Sequence, residues 1–196
     1  METPSPLEAR VERQTLETNI SCFLSLDRPG VAVSAPSGFF THMLTALATY
    51  AGWGLDLRVE GDSQVDFHHG VEDAGLVLGD ALREIGSRLP ERARFASALV
   101  PMDDSLAEVA LDAGQRPYLH FEATFPQPTA GHFDFCLVEE FFRALVSRSL
   151  WTLHVTGRRG RNSHHLSEAI FKAVGLAARA ALAPRREGLL STKGSL

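Results

Sequence analysis

The chain has 196 residues, enough for one domain or for two small ones fused around a single core. Apolar residues make up 44% and charged residues 22%, an ordinary globular balance that excludes a disordered or fibrous chain. A formal net charge of -5 argues against nucleic acid or an anionic membrane surface as a partner, and no run of about 20 apolar residues marks a membrane span.

Residues 1–9 are acidic and Pro-rich and read as a disordered tail with no secretory signal, which makes the cytoplasm the default compartment. A first α+β half is expected over 10–90. It has strands within Arg10 to Asp27 and near Val31, a helix from Phe39 to Tyr50, a strand from Leu55 to Glu60 and a longer helix from His69 to Leu89. Pro90 closes it, and Glu91 to Arg94 is a short polar link. The second half, 91–183, repeats the order. Strands fall at Ala96 to Pro101, Ala107 to Asp112 and Tyr118 to Phe125, a helix at Phe135 to Arg148, a strand at Trp151 to Thr156 and a helix at His164 to Leu182. The longer helices rest on i, i+3, i+4 spacing, as in Val71, Ala74, Leu78 and Leu82 and in Leu166, Ile170, Ala173, Val174 and Ala177; Ser163 is the expected N-cap of the last. Residues 184–196 form a basic, Gly/Ser-containing loop or tail. Cys22 and Cys136 stand apart in apolar stretches and read as two reduced core thiols.

The halves are a duplication. His68-His69-Gly70-Val71-Glu72 recurs as His164-His165-Leu166-Ser167-Glu168, 96 residues later. The same offset pairs Leu57-Arg58-Val59 with Leu153-His154-Val155, and Gly61 with Gly157. The preceding helix carries His42 in one half and Glu140 in the other. This is an α+β fold of two duplicated β-sheet/two-helix halves, packed about a pseudo-two-fold axis.

The repeated motif carries the chemistry. Each helical residue turns by about 100°, so with the first His at 0° the second lies at about 100° and the Glu at about 40°, between them. The two imidazoles diverge, and a natural use is two ions, one per histidine. Imidazole and carboxylate donors without thiolate admit Mn²⁺, Fe²⁺, Co²⁺ or Zn²⁺, and mixed ligation with open positions suits octahedral Mn²⁺ better than a closed zinc site. One copy of such a motif is weak, since capping or surface histidines explain it; two copies at matching positions are much stronger. Arg94, Arg116, Lys172 and Lys193 stand in contexts suited to an anion, the last in a Ser191-Thr192-Lys193-Gly194 loop, although each alone reads as a solvated charge.

Taken together, Glu17-Thr18-Asn19-Ile20, Phe40-Thr41-His42-Met43-Leu44, Asp66 to Asp73, Val100-Pro101-Met102-Asp103, Arg116-Pro117-Tyr118-Leu119, Gly160 to His165 and the Ser191 to Gly194 loop resemble the imidazoleglycerol-phosphate dehydratase family over about residues 9–196. The resemblance implies half-domains like the second domain of ribosomal protein S5, two Mn²⁺ ions per active site, and sites shared between subunits of a twenty-four-subunit cage built from trimers. By motif match the metal ligands are His42, His68, His69, Glu72, Glu140, His164, His165 and Glu168. Phosphate meets Arg94, Arg116, Lys172, Ser191 and Lys193, and Glu17, Glu72 or Glu168 moves a proton. The implied reaction dehydrates D-erythro-imidazoleglycerol phosphate to imidazole-acetol phosphate in L-histidine biosynthesis, with the imidazole ring as electron sink through an imidazolate and a diazafulvene-like intermediate. The chain departs from the family pattern at Thr41 and Phe67, where Asp is usual, and at Ala46 and Tyr50, where Gln and His line the substrate. A paralogue acting on another phosphorylated azole or polyol, a non-catalytic metal-assembled cage and, more weakly, a dinuclear hydrolase are the competing readings.

Overall fold

The computed structural model describes residues 6–89 and 91–185. The first half contains β1 (Glu8–Gln14), β2 (Thr18–Ser25), β3 (Gly30–Ser34), α1 (Gly38–Ala51), β4 (Gly54–Gly61) and α2 (His68–Ser87). The second contains β5 (Phe95–Met102), β6 (Ser105–Asp112), β7 (Tyr118–Glu122), β8 (Thr129–Ala130), β9 (Phe133–Asp134), α3 (Cys136–Ser149), β10 (Thr152–Arg159) and α4 (Ser163–Ala181). The two four-stranded sheets have the same order, β1-β2-β4-β3 and β5-β6-β10-β7, with only the last pair of each parallel. This is the expected α+β architecture of two duplicated halves, like the second domain of ribosomal protein S5. The small β8–β9 hairpin has no counterpart in the first half.

Strand alternation decides which face is buried. Ile20, Cys22 and Leu24 of β2, and Ala107, Val109 and Leu111 of β6, point inward, while their neighbours face outward. The inward faces rest on helices: α2 covers β1 and β2, and α4 covers β5 and β6. The helices then pair across the duplication, α2 along α3 and α1 along α4. One apolar core therefore runs through both halves, and Phe40, Phe133, Phe141, Phe142 and Phe171 are fully buried within it. The helix pairs approach closely at two matching glycines. A Cβ on Gly79 would lie 2.5 Å from the Leu145 carbonyl oxygen, and one on Gly175 would lie 2.5 Å from that of Leu47. No described helix is long and apolar enough to cross a membrane.

Several expectations need correction. β1 begins at Glu8, inside the stretch read as tail; Ala9 is buried and the Leu7 amide donates to Asp27 at 2.6 Å. Ser163 is not the cap of α4. Asn162 is, accepting from the amides of His164 and His165, while the buried Ser163 hydroxyl and the Gln127 backbone bind each other, at 2.8 Å and 2.9 Å. Cys22 is a core thiol, pushed up to about 12 by burial, whereas Cys136 is exposed at the first turn of α3.

The 96-residue offset also fails upstream of the His pairs. β4 starts at Gly54 opposite Ser25 and Gly30, and β10 starts at Thr152 opposite Asp112 and Tyr118, an offset of 98. The left-handed residues that end α1 and α3, Gly52 (φ 70°) and Leu150 (φ 60°), and the buried tryptophans that follow them, keep the same 98. A register shift in β10 between Gly157 and Arg159, and a shorter loop into α4, bring the offset back to 96 at His164. An error of two residues leaves every strand side chain on its correct face, so alternation alone could not expose it.

Candidate functional site

The first turn of α4 faces α1. With the Asn162 cap fixing where α4 begins, His164 and Glu168 stand one turn apart on the side turned toward His42 of α1. Nε2 of His42 lies 3.2 Å from Oε2 of Glu168, and Nε2 of His164 lies 3.5 Å from the same oxygen. The two imidazoles are 5.7 Å apart between centroids, and Phe39 meets His164 edge-on at 5.2 Å. One ligand atom from each of His42, His164 and Glu168 falls within 4.8 Å of the others, two nitrogens and one oxygen converging on one point. Such a set fits a divalent ion with positions left open for water or substrate.

Glu168 is buried, with only 8% of the residue exposed. Burial pushes its carboxyl up, but the Lys172 ammonium, 2.9 Å from Oε1, and His42 more than offset this, and its pKa ends below the ordinary carboxylate value. Lys172 is correspondingly raised by its bond to Glu168. Its ammonium also stands 5.2 Å from the centre of the Tyr50 ring and 3.9 Å from Sδ of Met102.

The second histidine of each pair turns away from the first, with rings 6.1 Å and 6.3 Å apart and nearly perpendicular. Each meets a carboxylate through Nδ1. His69 bonds Asp62 at 3.1 Å, with Glu17 at 3.8 Å, and among the described residues these three form the second group whose atoms could hold an ion. His165 bonds Asp104 at 2.7 Å. The Asp62 bond raises the pKa of His69; the His165 ring, and then the Arg161 amide, hold Asp104 well below the usual carboxylate range. A carboxylate on Nδ1 fixes the tautomer and leaves Nε2 to ligate, the usual outer support of a metal-bound imidazole.

Asp62 and Asp104 are the functional residues that sequence reasoning missed. They sit in loops without equivalence, Asp62 after β4 and Asp104 in the turn between β5 and β6, so the repeat could not pair them. The local signal was the Asp103-Asp104 turn itself, where Asp103 takes a left-handed φ of 48°. Asp104→Asn is expected to lower metal affinity or turnover by about 10- to 100-fold without loss of fold, read by metal titration and thermal melting.

Glu17 is carried by the β1–β2 turn. That turn is tied to α2 through the buried Asp73, which accepts from Arg13 at 2.7 Å and from the Thr18 hydroxyl. The structure does not gather His68, Glu72 and Glu140 as it gathers their counterparts. The His68 amide donates to Asp66 at 2.7 Å, and Glu140 lies 3.9 Å from Arg143 on its own helix. Arg94 makes two bonds to Asp112, at 2.7 Å and 2.9 Å, and the Arg116 carbonyl accepts from the Thr152 hydroxyl. Both arginines sit at the end of the second sheet opposite the Asp103–Asp104 turn. Eight-residue β5 separates the ends, roughly 25 Å of strand. Of the expected phosphate ligands among the described residues, only Lys172 stands beside the His42 cluster; Ser191 and Lys193 lie outside the described residues. At the departures, Thr41 bonds the Ala35 backbone, Ala46 is buried, Phe67 stacks on Phe133 and Tyr50 flanks Lys172.

The imidazoleglycerol-phosphate dehydratase family model matches residues 35–178. Proteins of that name from Desulfitobacterium hafniense and Gluconacetobacter diazotrophicus are each 47% identical, over 192 and 193 residues, covering 96% of this chain and 98% and 97% of theirs. Among solved structures, the dehydratase of Staphylococcus aureus superposes with a TM-score of 0.79 at 39% identity, over 90% of this chain and 99% of that one. The Pyrococcus furiosus enzyme in complex with (S)-C348 superposes at 0.82 and 35%, over 95% of this chain and 100% of that one. These matches and the site geometry agree: the chain belongs to the imidazoleglycerol-phosphate dehydratase family, hydro-lyases of histidine biosynthesis.

Proposed function

We propose that the chain removes water from D-erythro-imidazoleglycerol phosphate to give imidazole-acetol phosphate, in the cytoplasm, with two Mn²⁺ ions at each site. The observation that carries this reading is the convergence of His42, His164 and Glu168 in a family whose relatives are named for that reaction. His68 and Glu72 of α2, with Glu140 of α3, make up the corresponding set across the duplication. His69 and His165 are each backed by a carboxylate on Nδ1, which leaves Nε2 as the nitrogen for the ion, that of His165 lying 3.9 Å from Asp103. Mn²⁺ at such sites supplies positive charge to the ring nitrogens of the substrate, which favours the ring anion. The protein's part is to orient the ring between two sets of imidazoles and to hold the phosphate with Lys172, Arg94, Arg116, Ser191 and Lys193. Glu17, beside His69, takes the proton lost from carbon in this reading, with Glu72 and Glu168 the other two carboxylates of the set; the hydroxyl leaves as water.

The roughly 25 Å between Arg94 and the Asp103–Asp104 turn favours a site completed by a neighbouring copy, consistent with assembly into a twenty-four-subunit cage of trimers. The test is a direct assay of imidazole-acetol phosphate by purified, Mn²⁺-loaded protein. Turnover that disappears on chelation and returns with Mn²⁺ is expected. A protein that binds Mn²⁺ and assembles, yet releases no product from this substrate, would sink the reading in favour of a scaffold.

A further inference from the structure

Lys172 is oddly placed for a ligand of the substrate alone. Its side chain is only 17% exposed, its ammonium is 2.9 Å from Oε1 of Glu168, and the Tyr50 ring from α1 closes over it at 5.2 Å. The other oxygen of the same carboxylate faces Nε2 of His42 and of His164. Glu168 is thus one buried anion shared between a fixed cation on one side and the candidate metal position on the other. A second positive charge entering at His42 and His164 meets an anion that Lys172 already neutralises.

We propose that Lys172 is a resident counter-ion. It stands in for the charge of the divalent ion while the site is empty of metal, and metal binding at Oε2 draws the carboxylate's charge from Lys172 at Oε1 toward the ion. Burial of Glu168 is what makes a stand-in necessary, because an unpaired buried carboxylate is costly to the fold. Tyr50 keeps the ammonium nearby as the ion binds, since its ring face attracts a cation whether or not the carboxylate does. The arrangement sets a threshold on metal loading: only an ion that binds well enough to overcome repulsion by the adjacent ammonium occupies the site. This inference rests on the metal position read above.

The test compares Lys172→Gln, which removes the charge and keeps a hydrogen-bond donor, with Lys172→Arg, which keeps the charge. Mn²⁺ dissociation constants come from equilibrium dialysis of the full chain, with melting curves with and without Mn²⁺. Lys172→Gln is expected to bind Mn²⁺ roughly tenfold more tightly than wild type, through loss of repulsion, while Lys172→Arg stays near wild type. Metal-free Lys172→Gln should melt about 2–4 °C lower, and saturating Mn²⁺ should close that gap, which a purely structural role for Lys172 would not do. Weaker or unchanged Mn²⁺ binding by Lys172→Gln, tighter binding by Lys172→Arg as well, or a melting deficit that persists with the metal overturns the proposal. Failure of wild type to bind Mn²⁺ at all overturns the metal position with it.

Discussion

His164→Ala is expected to leave the fold intact and to reduce turnover by more than about 100-fold, beyond what loss of an outer partner such as Asp104 costs. The side chain is 45% exposed, so its removal opens no core cavity. It takes away one of the two nitrogens that share Glu168 with the ion, and leaves His42 as the only imidazole of that cluster. Metal content should fall together with the rate, and the thermal midpoint of the metal-free chain should move by no more than a few degrees. Turnover within tenfold of wild type at full Mn²⁺ content would show that the ion is held elsewhere.

A second large effect is expected far from any chemistry. Gly175→Ala and Gly79→Ala each place a methyl group 2.5 Å from a carbonyl oxygen of the facing helix, with Ala51 N 3.0 Å away at Gly175 and Ser149 N 3.1 Å away at Gly79. Two effects compete. Alanine gains about 1 kcal/mol over glycine in a helix interior, whereas overpacking a tight contact costs about 1–3 kcal/mol and occasionally more. The neighbours are backbone atoms of a packed helix and cannot rotate aside, so overpacking should win. With a net loss of about 1–2 kcal/mol in a chain of this size, a fall in the thermal midpoint of about 2–8 °C is expected. Gly86→Ala, two turns further along α2, meets nothing nearer than Arg92 Nη1 at 4.0 Å, and should raise stability instead. The same substitution would then act with opposite sign on one helix, and equal shifts at Gly79 and Gly86 would refute the close-approach argument. Gly175→Ala carries a further consequence: prising α1 from α4 separates His42 from Glu168, so Mn²⁺ affinity should fall with stability.

The duplication and the four helices were legible because their signals are local. Periodicity fixes which face of a helix is apolar, and a pair of histidines followed by a glutamate is visible wherever it stands. What escaped the sequence depends on chain segments meeting in space. Asn162 rather than Ser163 caps α4 because the Ser163 hydroxyl finds a better partner in the distant Gln127 backbone. Asp62 and Asp104 reach the second histidines from loops that share no position in the repeat. The offset of 98 along β4 and β10 was hidden by the two-residue period of a strand. Pairing of α1 with α4, and of α2 with α3, is written only in where glycines fall, and that becomes readable once the partner helix is known.

That crossed pairing of helices bears on how such a chain arose. A lone half would own one sheet and two helices, and each helix would lack the neighbour against which it now lies. An ancestor of half this length would have been obliged to associate with its own twin, α1 of one molecule seated on the closing helix of the other. Gene fusion would tether such a homodimer, relieve it of any dependence on concentration and free the copies to diverge, as they do at position 42, a histidine, and position 140, a glutamate.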